Sequence, residues 1–142
     1  MKISTRGRYA VRLMIDIAEN GEGGCVSLKD SAKRLGVSLK YLEQIVTLLT
    51  RGGFLISRRG AQGGYELTAP ADECRIGDIL RTTEGSLAPV TCLEAGELPC
   101  ERESECPTVS LWKGLYGVIS GYLDGVTVAD LAGSGRELCK TE

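Results

Sequence analysis

Cys92, Cys100 and Cys106 form a C-x7-C-x5-C run in a chain of 142 residues that contains no histidine. Five glutamates, from Glu94 to Glu105, share the same stretch. Thiolates this close in sequence can hold a metal or an iron–sulfur cluster, or report redox change. The missing histidine excludes Cys2His2 and Cys3His zinc sites, and no C-x-x-C pair is present to begin a zinc ribbon. Spacings of seven and five instead put three thiols on one irregular loop able to wrap a polyhedral cluster. Reduced metal-free thiols and a thiol–disulfide switch stay open beside that reading. The glutamates predict raised thiol pKa values through like charge. Cys25 and Cys74 fall near element ends and read as buried or incidental.

The charge is uneven. Met1 to Leu67 carry eleven Lys/Arg against six Asp/Glu, a net of +5; Thr68 to Glu142 carry six against thirteen, a net of −7. A basic half on an acidic chain suits a polyanion on one face. The opening residues lack the apolar core of a signal peptide and no stretch approaches a membrane span, so a cytoplasmic protein with reduced thiols is expected. No G-x-x-x-x-G-K-[ST] or G-x-G-x-x-G is present, which argues against nucleotide chemistry. With no histidine and no nucleophile–base constellation, an enzyme or electron carrier is a distant alternative.

The elements that must position these groups follow from hydrophobic spacing. Tyr9, Ala10, Leu13, Met14, Ile17 and Ala18 recur at helical intervals after Ser4-Thr5. Ser27 is placed to cap a second helix burying Leu28, Ala32 and Leu35. Gly36-Val37 makes a turn, and Ser38 caps a third helix burying Leu42, Ile45, Val46 and Leu49. Lys40, Tyr41, Glu43, Gln44 and Thr47 occupy its more exposed sides. That is a helix-turn-helix. Phe54 to Ile56 and Tyr65 to Leu67 predict a hairpin whose flexible tip, Arg58 to Gly64, holds two arginines suited to a narrow minor groove. Ile76, Ile79 and Leu80 predict a helix closed by Gly85. Beyond Pro107 a long helix is expected up to Gly125, with Trp112, Leu115, Tyr116, Ile119, Tyr122 and Leu123 on one stripe. Thr127 caps a short final segment.

The segments KISTRGRYAV and SLKYLEQIVTLLTRGGFLISRRGAQGGYELT resemble the Rrf2 family of bacterial winged-helix repressors. The S-x-x-YLEQ element (Ser38 to Gln44) and the RG-x-x-GGY wing (Arg59 to Tyr65) carry the match. It continues through Ile76-Gly77-Asp78-Ile79, Glu84-Gly85 and Leu111-Trp112. The resemblance implies a mainly α fold with a small β-hairpin wing and a long C-terminal dimerisation helix. The expected division is 1–70 winged helix-turn-helix, 71–90 connecting helix and linker, 91–107 cysteine loop, 108–133 dimerisation and short helices, and 134–142 flexible tail.

It further implies a homodimer, joined through the 108–123 helix, reading a pseudo-palindromic operator in double-stranded DNA. Ser38, Lys40, Tyr41, Glu43 and Gln44 then face base edges and nearby phosphates, Gln44 pairing with adenine and Glu43 accepting from a cytosine amino group. Arg59 enters the minor groove, Arg58 anchors a phosphate, and Arg6 and Tyr9 add backbone contacts. A packing role for Tyr41 stays open. Iron-binding members carry a three-cysteine loop at this position, so the resemblance implies an iron–sulfur cluster on Cys92, Cys100 and Cys106, [2Fe-2S] in preference to [4Fe-4S]. Some relatives place a histidine where this chain has Val109. The fourth ligand is then open between Cys139, Glu103 or Glu105, Thr108, the dimer mate and a small exogenous thiol. A sulfur-metabolism repressor controlled by a partner protein or by thiol oxidation is the alternative, since the segment Glu84 to Val90 resembles that branch.

Overall fold

The computed structural model describes residues 1–94 and 100–133. The loop segment 95–99 and the tail 134–142, expected to be flexible and carrying Cys139, lie outside the described residues. The chain folds as a winged helix with a long C-terminal helix. Its elements are α1 (Thr5–Asn20), α2 (Leu28–Leu35), α3 (Leu39–Arg51), β1 (Leu55–Arg58), β2 (Gly64–Leu67), α4 (Ile76–Glu84), α5 (Val109–Gly125) and α6 (Val128–Leu131). Single 3-10 turns occur at Thr91–Leu93 and Glu103–Glu105.

Helix α1 starts where the Ser4 hydroxyl oxygen accepts from the Gly7 N–H at 3.1 Å. Its apolar stripe, Ala10, Leu13, Met14 and Ile17, is fully or almost fully buried. Around it close Leu42, Ile45, Val46 and Leu49 of α3 and Ile76, Ile79 and Leu80 of α4. At Gly7 the helices α1 and α4 touch, since a Cβ there would strike the Glu84 carboxylate and come within 3.3 Å of Leu80.

Asp16 is the one buried carboxylate among the described residues, 6 % exposed in the middle of α1. Arg34 donates to both its oxygens, Nε at 2.7 Å and Nη2 at 2.9 Å, and Ser31 donates at 2.6 Å. Both donors sit on α2, so one side chain fixes the helix-turn-helix against α1. The second helix buries Ser31 and Ala32, while Leu28 and Leu35 pack only partly. This corrects the expected apolar triad: the inward side of α2 reaches a carboxylate as well as the core. Ser27 holds the cap position without a side-chain bond. The turn that follows needs Gly36, whose φ of +68° is left-handed.

The wing is an antiparallel pair running from Leu55↔Leu67 to Arg58↔Gly64. Val26 joins β2 on its open edge, exchanging two backbone bonds with Tyr65 at 2.8 and 2.9 Å. Gly64 must be glycine, because φ is +151° and a Cβ would strike the Val26 carbonyl. Arg58 belongs to the strand, not the tip, which moves the start of the flexible segment to Arg59.

Helix α5 departs most from expectation. The predicted single stripe splits into two. Trp112, Tyr116, Ile119 and Leu123 are partly buried, with Tyr116 and Leu123 packed on the core. Leu111, Leu115, Val118 and Tyr122 are exposed, at 59, 41, 71 and 61 %. Each set has 4-3-4 spacing, and the two are offset by one residue, about 100° around the helix. The far end of α5 is pinned where Arg81 donates to both Asp124 oxygens at 2.8 and 3.0 Å and Arg75 donates to the Asp124 carbonyl at 2.8 Å.

Replacing Asp16 by Ala leaves Ser31 and Arg34 without their acceptor and is expected to cost about 2–3 kcal/mol, Arg34 being partly solvated. Burial favours the neutral acid, but the Arg34 and Ser31 donors outweigh it and hold Asp16 below the ordinary value of 3.8. Its contribution is therefore present above pH 4 and lost as pH falls through the lower folded value. Urea melts at pH 7 and pH 3 check both: in Asp16→Asn the acid-side loss of stability shrinks, and an unchanged difference between the two pH values would contradict the assignment.

Candidate nucleic-acid interface and thiol pocket

On α3 the sequence puts Leu42, Ile45, Val46 and Leu49 on the buried side, which leaves Lys40, Glu43, Gln44 and Thr47 projecting into solvent. Ser38 is exposed, and its hydroxyl oxygen caps the helix by accepting from the Tyr41 N–H at 3.1 Å. Tyr41 is half-buried and meets Tyr9 edge-on, centroids 5.9 Å apart and planes at 83°. Arg12 lies over the Tyr9 ring at 5.2 Å. Tyr41 therefore has the packing role that the sequence left open, on the flank of the exposed face. Arg12 joins this flank beyond the expected residues, one turn after Tyr9 on α1.

The basic residues divide by what already holds them. Arg6 donates to the Thr83 carbonyl at 2.8 Å, bracing α1 against α4. Arg58 donates to Glu66 across the hairpin at 2.8 Å. Arg59, at the exposed tip, has no hydrogen bond or ion pair among the described residues.

The three cysteines, spread over fifteen residues of chain, come together. Cys92, Cys100 and Cys106 line one pocket of about 120 Å³ with Val90, Leu93, Glu103, Thr108, Val109 and Trp112. The 3-10 turn at Thr91–Leu93 presents Cys92, and Cys106 sits just ahead of α5. Among the described residues no three cysteine or acidic side chains converge on a point tightly enough to grip a single ion. The thiols instead share the wall of one cavity, and a polynuclear group is the kind of ligand whose thiolates bind different metal atoms. Two oxygen groups share the wall, Thr108 and Glu103, and Glu103 is ion-paired with Lys113 of α5. Glu105 is not on that wall. Val109 lines the wall with an apolar side chain.

The expectation that glutamates would raise the thiol values is overturned at Cys106. The Thr108 hydroxyl, 3.5 Å from Sγ, is the main cause of a lowered pKa, helped by the Thr108 and Val109 N–H groups and by Arg102. Donors at the start of α5 thus outweigh the acidic composition of the loop. Cys74 behaves oppositely: burial, then Glu73 and Asp72, push its thiol up. Cys25 is half-buried, with Sγ 4.0 Å from Glu66.

Residues 3–134 match the Rrf2 family, described as an iron-dependent transcriptional regulator. The HTH-type transcriptional regulator IscR of Aliivibrio salmonicida is 37 % identical over 131 residues, covering 92 % of this chain and 77 % of that one. The structure of CymR (YrzC), the global cysteine regulator of B. subtilis, is similar at a TM-score of 0.75 and 41 % identity, covering 93 % of this chain and 96 % of that one. T. potens IscR is similar at 0.75 and 36 %, covering 100 % and 93 %.

The lowered Cys106 value is testable without metal. At pH 7.5 iodoacetamide should modify Cys106 well before Cys74, followed site by site by mass spectrometry. Thr108→Ala should slow Cys106 roughly threefold or more by shrinking its thiolate fraction. Equal Cys106 rates in the two proteins would rule out the hydroxyl as the cause.

Proposed function

The chain belongs to the Rrf2 family of transcriptional regulators, and from that premise we propose that it is a homodimeric DNA-binding repressor whose operator affinity depends on an iron–sulfur cluster held by Cys92, Cys100 and Cys106. The observation that carries this reading is the single pocket lined by all three thiols. When bound, the group would supply a redox- or iron-dependent occupancy. The chain's own residues do the rest. Trp112 and Val109 put α5 in the pocket wall, so the geometry around the thiols is also the seating of that helix. Glu103 and Thr108 share the pocket wall with the thiols, and on this reading one of them completes the ligand set.

The outward seam of α5, Leu111, Leu115, Val118 and Tyr122, has the a/d spacing of a helix that packs against another. Three glycines inside the same helix, Gly114, Gly117 and Gly121, each cost helix stability of about 1 kcal/mol. A partner helix packed close over them offsets that cost. A second copy of this chain supplies such a helix and yields two recognition helices for a two-fold operator. Occupancy of the pocket can change DNA affinity only if it favours one dimer geometry over another. The pocket wall and the seam lie on neighbouring faces of one rigid helix, which gives that preference a route.

On the DNA side, Lys40, Glu43 and Gln44 meet base edges and phosphates, Ser38 fixes the start of the helix, and Tyr9 with Tyr41 braces its flank. Arg59 is the wing residue free to enter the minor groove, while Arg58 and Arg6 have partners to leave first. A second reading, a regulator of sulfur metabolism working through thiol oxidation, is favoured by the likeness to CymR and by the lowered pKa of Cys106.

Anaerobically purified protein should be coloured, with stoichiometric iron and sulfide, and each of Cys92→Ala, Cys100→Ala and Cys106→Ala should lose the colour while staying dimeric by light scattering. Colourless wild-type protein that binds DNA in a thiol-dependent way would select the second reading. Arg59→Ala should weaken operator binding about tenfold in titrations, and Arg58→Ala about threefold or less. The reverse order would contradict the division of labour in the wing.

A further inference from the structure

The first turn of α3 carries one residue that neither caps, packs nor bears charge. Leu39 is 39 % exposed and is not among the side chains packed against the core. Its neighbours account for the apolar work of that turn: Val37 is partly buried against the core and Leu42 is fully buried. A lone exposed leucine elsewhere on a surface needs no explanation. This one lies between the exposed Ser38 and Lys40, and one turn before Glu43 on the same side of the helix. Residues at the start of a recognition helix approach base edges most closely.

The major groove presents one apolar group, the 5-methyl of thymine. We propose that Leu39 is a specificity-determining residue that packs on a thymine methyl in each half-site, an inference that rests on the DNA-binding reading above. Its neighbours supply polar recognition of the adjacent positions, and Leu39 supplies the contact that a hydrogen-bonding side chain cannot. Contact with a methyl also rejects cytosine, whose C5 carries only hydrogen, and leaves purines at that position facing an apolar side chain with no polar partner.

The test begins by selecting binding sequences from a random duplex pool with the wild-type dimer. Each thymine of the enriched site is then replaced by deoxyuridine, which removes the methyl and leaves the pairing edge intact. Wild-type protein should lose affinity about fourfold at one thymine per half-site, the worth of one buried methyl-sized group. Leu39→Ala should bind the two duplexes equally, with an unchanged thermal melt because the residue lies outside the core. Insensitivity of the wild type at every thymine overturns the proposal while leaving DNA binding intact. Equal sensitivity in Leu39→Ala and wild type overturns it as well. A pool with no enriched sequence removes the regulator reading itself.

Discussion

One buried carboxylate decides how the DNA-reading surface is presented. On α2 Ala32 is the one buried apolar side chain, and Leu28 and Leu35 are only partly covered. Asp16 supplies what apolar contact does not, a directional link taking two bonds from Arg34 and one from Ser31. Apolar packing tolerates sliding, whereas a bidentate pair does so only by leaving a charge unmatched in low dielectric. With α2 held, the turn at Gly36 and the apolar face of α3 set how α3 is presented.

The same logic recurs at lower strength elsewhere. Arg6 ties the start of α1 to the end of α4, and Arg81 and Arg75 tie α4 and its lead-in to Asp124. Helix α4 is therefore the middle of a braced series from the DNA-binding helices to α5. Every described buried side-chain polar atom has a partner. Directional bonds between helices thus tie α1, α4 and α5 into one braced series.

Much of this was readable from local signals. Ser4, Ser38 and Thr127 cap the helices they precede, and the buried positions of α1 and α3 follow the apolar spacing. What escaped were facts that depend on distant partners. Nothing near Asp16 announces that Ser31 and Arg34 will surround it, and Arg58 reads as a free cation until Glu66 is placed opposite. Periodicity in α5 gives two equivalent stripes; only the position of α4 decides which one faces inward. For the thiols, composition pointed to raised pKa values, yet the start of a helix at Thr108 lowered that of Cys106. The spacing of the cysteines showed that they share a loop, and the turns at Thr91–Leu93 and Glu103–Glu105 brought them to one pocket.

The pin at Asp124 makes α5 a lever. Its seventeen residues span about 25 Å. With the fulcrum at the far end and the thiol pocket at the near end, a tilt of about 5° moves the pocket end by about 2 Å and Val118, near mid-span, by about 1 Å. That is on the scale by which packed helices shift at subunit interfaces when regulatory proteins change state. The fulcrum sits on α4, which also packs against α1 and α3. A tilt of α5 about that pin is thus resisted, through α4, by both α1 and α3.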